Sequence, residues 1–135
     1  MTITFVGHGY VGLVTAAIFA DLGNTVWVVG RTREKIDNLN NGIMPFYEPG
    51  LEEMVKRNIT AGRILFTLDY KQAVSKSEVV FIAVGTPPKK NGEADLSSVF
   101  KAAESIGENL DKYTVVVTKS TVPPGTNKKV GAIIS

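Results

Sequence analysis

Short runs of Val, Ile and Phe alternate along the chain with segments whose apolar residues recur every three or four positions. The runs read as strands at Ile3 to Val6, Thr25 to Val29, Ile64 to Thr67, Val79 to Val84 and Thr114 to Thr118. Several are nearly continuous in apolar residues, as strands buried on both faces should be. Between them, Val11, Val14, Ile18 and Leu22 form one helical stripe and Ile36, Leu39 and Ile43 a second. Leu51, Met54, Val55 and Ile59 form a third, and Leu96, Val99, Phe100, Ala103, Ile106 and Leu110 a fourth. Each stripe is expected to face the core. Gly23-Asn24, Gly42 and Gly62 stand where the first three helices should end, and Asp69 and Asp95 where two later ones should be capped. A last helical pattern runs from Thr126 to Ser135 without a stop signal, so the sequence reads as cut inside a helix.

This alternation predicts an α/β fold, a Rossmann-like doubly wound parallel sheet with helices on both faces. Right-handed crossovers place the first strand centrally and give the order 3-2-1-4-5, truncated in the helix after strand five. Ligands of such sheets bind beyond the C-terminal strand ends at the switch point, here between the first and fourth strands. Three loops meet there: Gly7 to Gly12, Gly85-Thr86-Pro87-Pro88, and Lys119-Ser120-Thr121-Val122-Pro123.

The first loop carries the clearest chemistry. Gly7-His8-Gly9-Tyr10-Val11-Gly12 follows a strand and opens a helix, the context in which this glycine spacing binds a dinucleotide. Gly7 allows the tight turn, Gly9 lets a pyrophosphate approach the backbone, and Gly12 lets helix and strand pack closely. The helix start then turns free N–H groups and a partial positive charge toward the phosphates. His8 is the single histidine, and as a turn-position side chain it is read as solvent-facing rather than as an acid or base. Tyr10 and Val11 are read as packing at the helix start.

Length and composition narrow the setting. The 135 residues, 44% of them hydrophobic, suffice for one domain, 1–135, with a true core. Fifteen basic residues are interspersed with thirteen acidic ones for a net charge of +2, so neither a nucleic acid nor a membrane is expected as partner. With no cysteine there is no disulfide, no cysteine-based metal site and no thiol nucleophile within these residues, and no metal is expected. No secretory signal is visible and the apolar runs have strand length, so the expected location is the cytoplasm.

The end of the second strand bears on cofactor choice. An acid about 20 residues beyond the glycines accepts the ribose 2′-OH of NAD, whereas arginine suits the 2′-phosphate of NADP. Here Val29 leads into Gly30-Arg31-Thr32-Arg33, with no acid before Glu34. Two readings stay open: the arginines attract a 2′-phosphate, or Thr32 caps the next helix and both arginines are solvated, with Arg31 stacked on adenine.

Two further segments have plain structural readings. Phe46-Tyr47-Glu48-Pro49-Gly50-Leu51 can simply start a helix, with Glu52-Glu53 favouring its dipole, and Lys89-Lys90-Asn91-Gly92 is a solvated turn. In the last loop, Lys119, Ser120 and Thr121 end a buried strand, where hydroxyls can reach a nicotinamide or an attacking water.

Taken in order, these residues resemble the N-terminal NAD-binding domain of the UDP-glucose 6-dehydrogenase and GDP-mannose dehydrogenase family. The likeness runs through Gly-His-Gly-Tyr-Val-Gly-Leu-Val-Thr from Gly7, Lys35-Ile36 with Leu39-Asn40-Asn41-Gly42, Tyr47-Glu48-Pro49-Gly50-Leu51, Phe81 to Pro87, Ala94-Asp95-Leu96 and Lys119 to Thr126. The resemblance implies oxidation of a sugar-nucleotide primary alcohol to the carboxylate in two hydride transfers to NAD. In that family a cysteine forms a thiohemiacetal and then a thioester, and it belongs to the later part of the chain, so these residues alone are expected to be inactive. By the same resemblance Gly7, Gly9, Tyr10, Val11, Gly12, Lys35, Val84, Gly85, Thr86, Pro87, Ser120 and Thr121 bind the cofactor, and the reading of the second strand's end adds Gly30 and Arg31. Thr121 also helps place catalytic water, and the longer enzyme is a homodimer that takes a sugar nucleotide. One departure is Gly30, where the family carries aspartate; it puts the usual NAD preference in question. An NADP-dependent hydroxyacid dehydrogenase domain and a non-catalytic dinucleotide-binding module are the alternatives. The first leaves the Tyr-Glu-Pro-Gly-Leu and Lys-Ser-Thr-Val-Pro segments unexplained.

Overall fold

The computed structural model describes all residues, Met1–Ser135. In chain order the elements are β1 (Thr2–Val6), α1 (Tyr10–Asp21), β2 (Thr25–Val29), α2 (Arg33–Asn40), α3 (Leu51–Thr60) and β3 (Ile64–Thr67). There follow α4 (Tyr70–Val74), β4 (Val79–Ile82), α5 (Ser97–Glu108), β5 (Val115–Thr118) and α6 (Thr126–Ile134). The five strands are all parallel in the order β3-β2-β1-β4-β5, as the sequence predicts.

Alternate side chains of the central strands feed two layers. On one face Ile3, Phe5, Val26 and Val28 pack with α1, α2 and α3, around a stack of Phe5 on Phe81 with ring centroids 4.7 Å apart. On the other, Val6, Val80 and Ile82 pack with α4, α5 and α6, while Trp27 and Val29 meet Ala73. The one polar pair at the centre of that second face, Thr4 and Ser77, shares a hydroxyl–hydroxyl hydrogen bond of 2.6 Å, and Ser77 also donates to Ala73 O at 2.9 Å. No buried side-chain polar atom is left without a partner.

The stripe expected on α1 is corrected. The helix buries Gly12, Leu13, Ala16, Ala17 and Ala20, and of the predicted stripe only Val14 touches the core. Val11, Ile18 and Leu22 are exposed, Leu22 by 74%. Small residues win this face because they let α1 approach the sheet closely, which a ridge of branched side chains would prevent. Ile43 likewise lies exposed beyond the end of α2.

Boundaries shift slightly elsewhere. β4 ends at Ile82, two residues short of the expectation: Ala83 N–H still bonds Val6 O at 2.8 Å, but β1 itself ends at Val6 and the chain then leaves toward Pro87 and Pro88. β5 begins at Val115, one residue later than expected, and the Thr114 hydroxyl just before it donates to the carbonyls of Ser77 and Lys112. Asp69 caps α4 by accepting Lys71 N–H at 3.0 Å. Asp95 accepts Ser97 N–H at 3.0 Å but precedes the capping position of α5, which is Leu96.

Candidate functional site

The three glycines of the first loop meet three different surroundings. At Gly7, with φ of +114°, a side-chain carbon would stand 2.5 Å from the Ala83 carbonyl oxygen. At Gly12 it would stand 2.5 Å from the carbonyl oxygen of Gly7. At Gly9 it would meet nothing within 4 Å. Two positions are therefore closed by backbone, and the third opens onto free space where a ligand can reach the main chain.

That space lies against donors. The first backbone bond of α1 runs from Leu13 N–H to Gly9 O at 2.9 Å, leaving the N–H groups of Tyr10, Val11 and Gly12 without acceptors in the protein. Add the positive end of the helix dipole and the loop is suited to an anion that approaches Gly9.

The open ground is a trough with two lobes. The larger, about 340 Å³, extends from Gly7 and Gly9 to the end of β2 at Gly30 and Arg31, and to one side of α5. The smaller, about 240 Å³, extends from Gly9, Tyr10 and Val11 to Thr86 and to Lys119, Ser120 and Thr121. Gly9, Ala83, Val84 and Gly85 border both lobes, so the trough crosses the C-terminal ends of β1 and β4 at the switch point. No carboxylate lines either lobe, while Arg31 and Lys101 line the larger and Lys119 the smaller.

Most of the sequence-predicted residues come together here. Gly12 is buried beneath the loop, and Pro87 lies exposed beyond the smaller lobe. The Ser120 hydroxyl donates to Val84 O at 2.7 Å, and the Thr86 hydroxyl donates to Thr121 O at 3.0 Å, so the loops after β4 and β5 are laced together. Thr121 is exposed at the rim. Lys35 stands apart from the trough, in a small neighbouring hollow with Asn38 and Met44.

His8 is half-buried, not simply solvent-facing, and borders both the larger lobe and the hollow of Lys35. Burial lowers its pKa, and the charges of Lys35 and Arg31 add to that, partly opposed by a hydrogen bond with its own backbone. Tyr10 is exposed and packs its ring on Phe46 at 5.4 Å between centroids, with the Glu48 carboxylate raising the pKa of the phenol. The segment from Phe46 to Glu48 thus does more than start α3: it meets the head of α1.

Sequence reasoning missed the far wall of the larger lobe. Tyr70 from α4 and Ser98, Lys101, Ala102 and Ser105 from α5 form it. Burial raises the Tyr70 pKa, against a lowering by Arg31. The four α5 residues are spaced i, i+3, i+4 and i+7, one helical face of small and polar groups beside the apolar stripe. That spacing was present in the sequence as a signal.

The family model for the UDP-glucose/GDP-mannose dehydrogenase family, NAD binding domain, matches residues 1–135. A UDP-glucose 6-dehydrogenase of Rhizobium meliloti is 53% identical over 135 residues, covering 99% of this chain and 31% of that protein. A UDP-glucose 6-dehydrogenase of Pseudomonas aeruginosa is 49% identical over 134 residues, covering 99% and 30%. Among solved structures, a ternary complex of GDP-mannose dehydrogenase from Pseudomonas aeruginosa superposes with a TM-score of 0.94 at 41% identity, covering 99% of this chain and 32% of that one. A UDP-glucose dehydrogenase from Pyrobaculum islandicum gives 0.94 at 39% identity, covering 98% and 32%. The chain spans 29 to 31% of the length of the first curated relatives it matches.

Proposed function

Because the chain belongs to the UDP-glucose/GDP-mannose dehydrogenase family, we propose that residues 1–135 are the NAD-binding part of an enzyme that oxidises the primary alcohol of a sugar nucleotide to the carboxylate in two successive steps. The observation that supports this best is the two-lobed trough, joined at Gly9 and free of carboxylates. A dinucleotide has that shape: two nucleoside halves and an anionic bridge.

In this reading the N–H groups of Tyr10 and Val11 hold the diphosphate, Gly9 admits it to the main chain, and Gly12 serves it from beneath by letting the helix start pack against the loop. Arg31 and Lys35 flank the adenosine side beside Gly30. Val84, Gly85, Thr86 and Ser120 shape the nicotinamide side, with Pro87 stiffening its exit. When bound, the nicotinamide supplies the hydride acceptor for each oxidation. The Thr121 hydroxyl, free at the rim, positions water for hydrolysis of the acyl stage, which requires water held within hydrogen-bond reach. In this reading the reacting thiol belongs to residues outside these 135, since no cysteine is among them, and the family resemblance puts most sugar-nucleotide contacts there too. The same reading places the enzyme in the cytoplasm as a homodimer.

The test is stoichiometric. A protein of the relatives' length carrying these residues should reduce two NAD for each UDP-glucose or GDP-mannose oxidised, and the 135 residues alone should turn over neither. One NAD per sugar nucleotide with accumulation of the aldehyde, or turnover by the 135 residues, would contradict the proposal.

A further inference from the structure

The end of β2 carries more positive charge than a ribose diol calls for. We propose, building on the dinucleotide reading above, that this chain accepts a 2′-phosphorylated dinucleotide, with Arg31, Lys35 and His8 meeting the phosphate beside Gly30.

Position 30 cannot supply the carboxylate that selects a free 2′-hydroxyl. It has no side chain, and one built there would stand 2.6 Å from Ile36 Cδ1 and 2.8 Å from His8 Cδ2. The neighbours already fill the place. No carboxylate lines the larger lobe or the adjoining hollow, which share His8 as their common wall. Glu34 and Asp37, the acids of α2, are exposed and line neither.

The cations there are uncommitted. The molecule's two ion pairs are Lys56 with Glu52 and Arg57 with Asp21, so Arg31, Arg33 and Lys35 pair with nothing. Arg31 makes one long side-chain contact, its Nη1 donating to Ser98 Oγ at 3.4 Å. Thr32 sits at the capping position of α2 but its hydroxyl makes no capping bond, so the first N–H groups of that helix also remain open. Arg31 in the larger lobe and Lys35 in the adjoining hollow thus stand on either side of His8, close enough for both charges to act on its ring, with the open amides of α2 beside them. A phosphate dianion satisfies such donors, whereas a hydroxyl cannot.

His8 makes the site responsive to pH. The charged groups near its ring are Arg31 from the β2 loop and Lys35 from α2; Lys101 of α5 and the Tyr70 phenol of α4 line the same lobe. All the charges are positive, and with burial they keep the imidazole neutral in the free chain. A dianion placed among them reverses the local field, so its binding takes a proton from solvent onto His8. Affinity for the phosphorylated dinucleotide should therefore rise as pH falls from about 8 to about 6.5, above the range near 6 where a phosphate monoester itself takes up a proton.

Calorimetric titration of the chain with NADP and with NAD tests this. Expected are NADP affinity at least equal to that for NAD, a preference that shrinks with added salt, and a steeper pH dependence for NADP that His8→Asn flattens. Arg31→Ala and Lys35→Ala, both at exposed positions, should each lower the ratio of NADP to NAD affinity by roughly tenfold. Tighter binding of NAD than of NADP, or a ratio that neither variant moves, would overturn the proposal while leaving the dinucleotide reading standing. Binding of neither cofactor would overturn both.

Discussion

A side-chain carbon on Gly12 would stand 2.5 Å from the carbonyl oxygen of Gly7, so the first turn of α1 is pressed onto the turn that follows β1. Backbone cannot yield there as a flexible side chain can. Gly12→Ala should therefore lower stability by about 1–3 kcal/mol, the usual range for overpacking. Gly9→Ala should leave stability within about 0.5 kcal/mol, because the added methyl enters open space, and should still weaken dinucleotide binding. Urea denaturation of both variants distinguishes them, and equal losses would contradict these packing roles.

The bond from the Ser120 hydroxyl to Val84 O, at 2.7 Å, ties the two loops of the smaller lobe. Ser120→Ala removes that donor from a partly buried carbonyl and should cost about 1 kcal/mol. Hydrogen exchange should quicken locally, around Thr86 and Thr121, which the second loop-to-loop bond joins. An unchanged denaturation midpoint and unchanged local exchange would mean that the two loops hold their positions independently.

A polar cluster far from the trough contributes to the acid response. Arg57 grips Asp21 through two bonds of 2.8 Å, and the buried Asn58 donates to the same carboxylate at 3.1 Å while accepting from Arg63 at 2.8 Å. These hydrogen bonds hold the Asp21 pKa at about 2. A depressed carboxylate contributes stability that is complete above its unfolded pKa, near 3.9, and is lost as pH falls through the folded value. Stability should thus decline between about pH 4 and pH 2, and Asp21→Asn should decline less across that window. Parallel acid curves for the two proteins would rule out this contribution.

Asn58 is fully buried and links α1, α3 and the start of β3 through Asp21, Met54 and Arg63. Asn58→Ala strands several of those partners and should cost about 1–3 kcal/mol, read as a lowered denaturation midpoint. A smaller effect than that of Ser120→Ala would place the weight of this corner on packing alone.

Topology was readable from the order of strand and helix patterns, because parallel strands buried on both faces leave unbroken apolar runs such as Val79 to Ile82. The loop at Gly7 to Gly12 was readable because each of its glycines answers a separate steric demand. The buried face of α1 is not legible from apolar periodicity: large side chains point to Val11, Ile18 and Leu22, whereas close packing on the sheet selects Gly12 and the alanines. The half-burial of His8 is hidden from the sequence for a related reason. Whether a turn side chain meets solvent depends on what lies opposite, and Gly30 leaves room that the ring fills. The α5 wall escaped notice because Ser98, Lys101 and Ser105 matter only once helix and strand ends are assembled around one cleft.

The central claim is that the dinucleotide lies across Gly9, at the junction of the two lobes. Titrating the isotope-labelled chain with NAD while following its backbone amide resonances tests that placement directly. Saturable shifts should be largest at Gly9 to Gly12 and at Ala83 to Gly85, and should be reduced in Gly9→Ala at the same NAD concentration. No saturable change, or changes confined to the separate hollow around Lys89, Asp95 and Lys129, would contradict it.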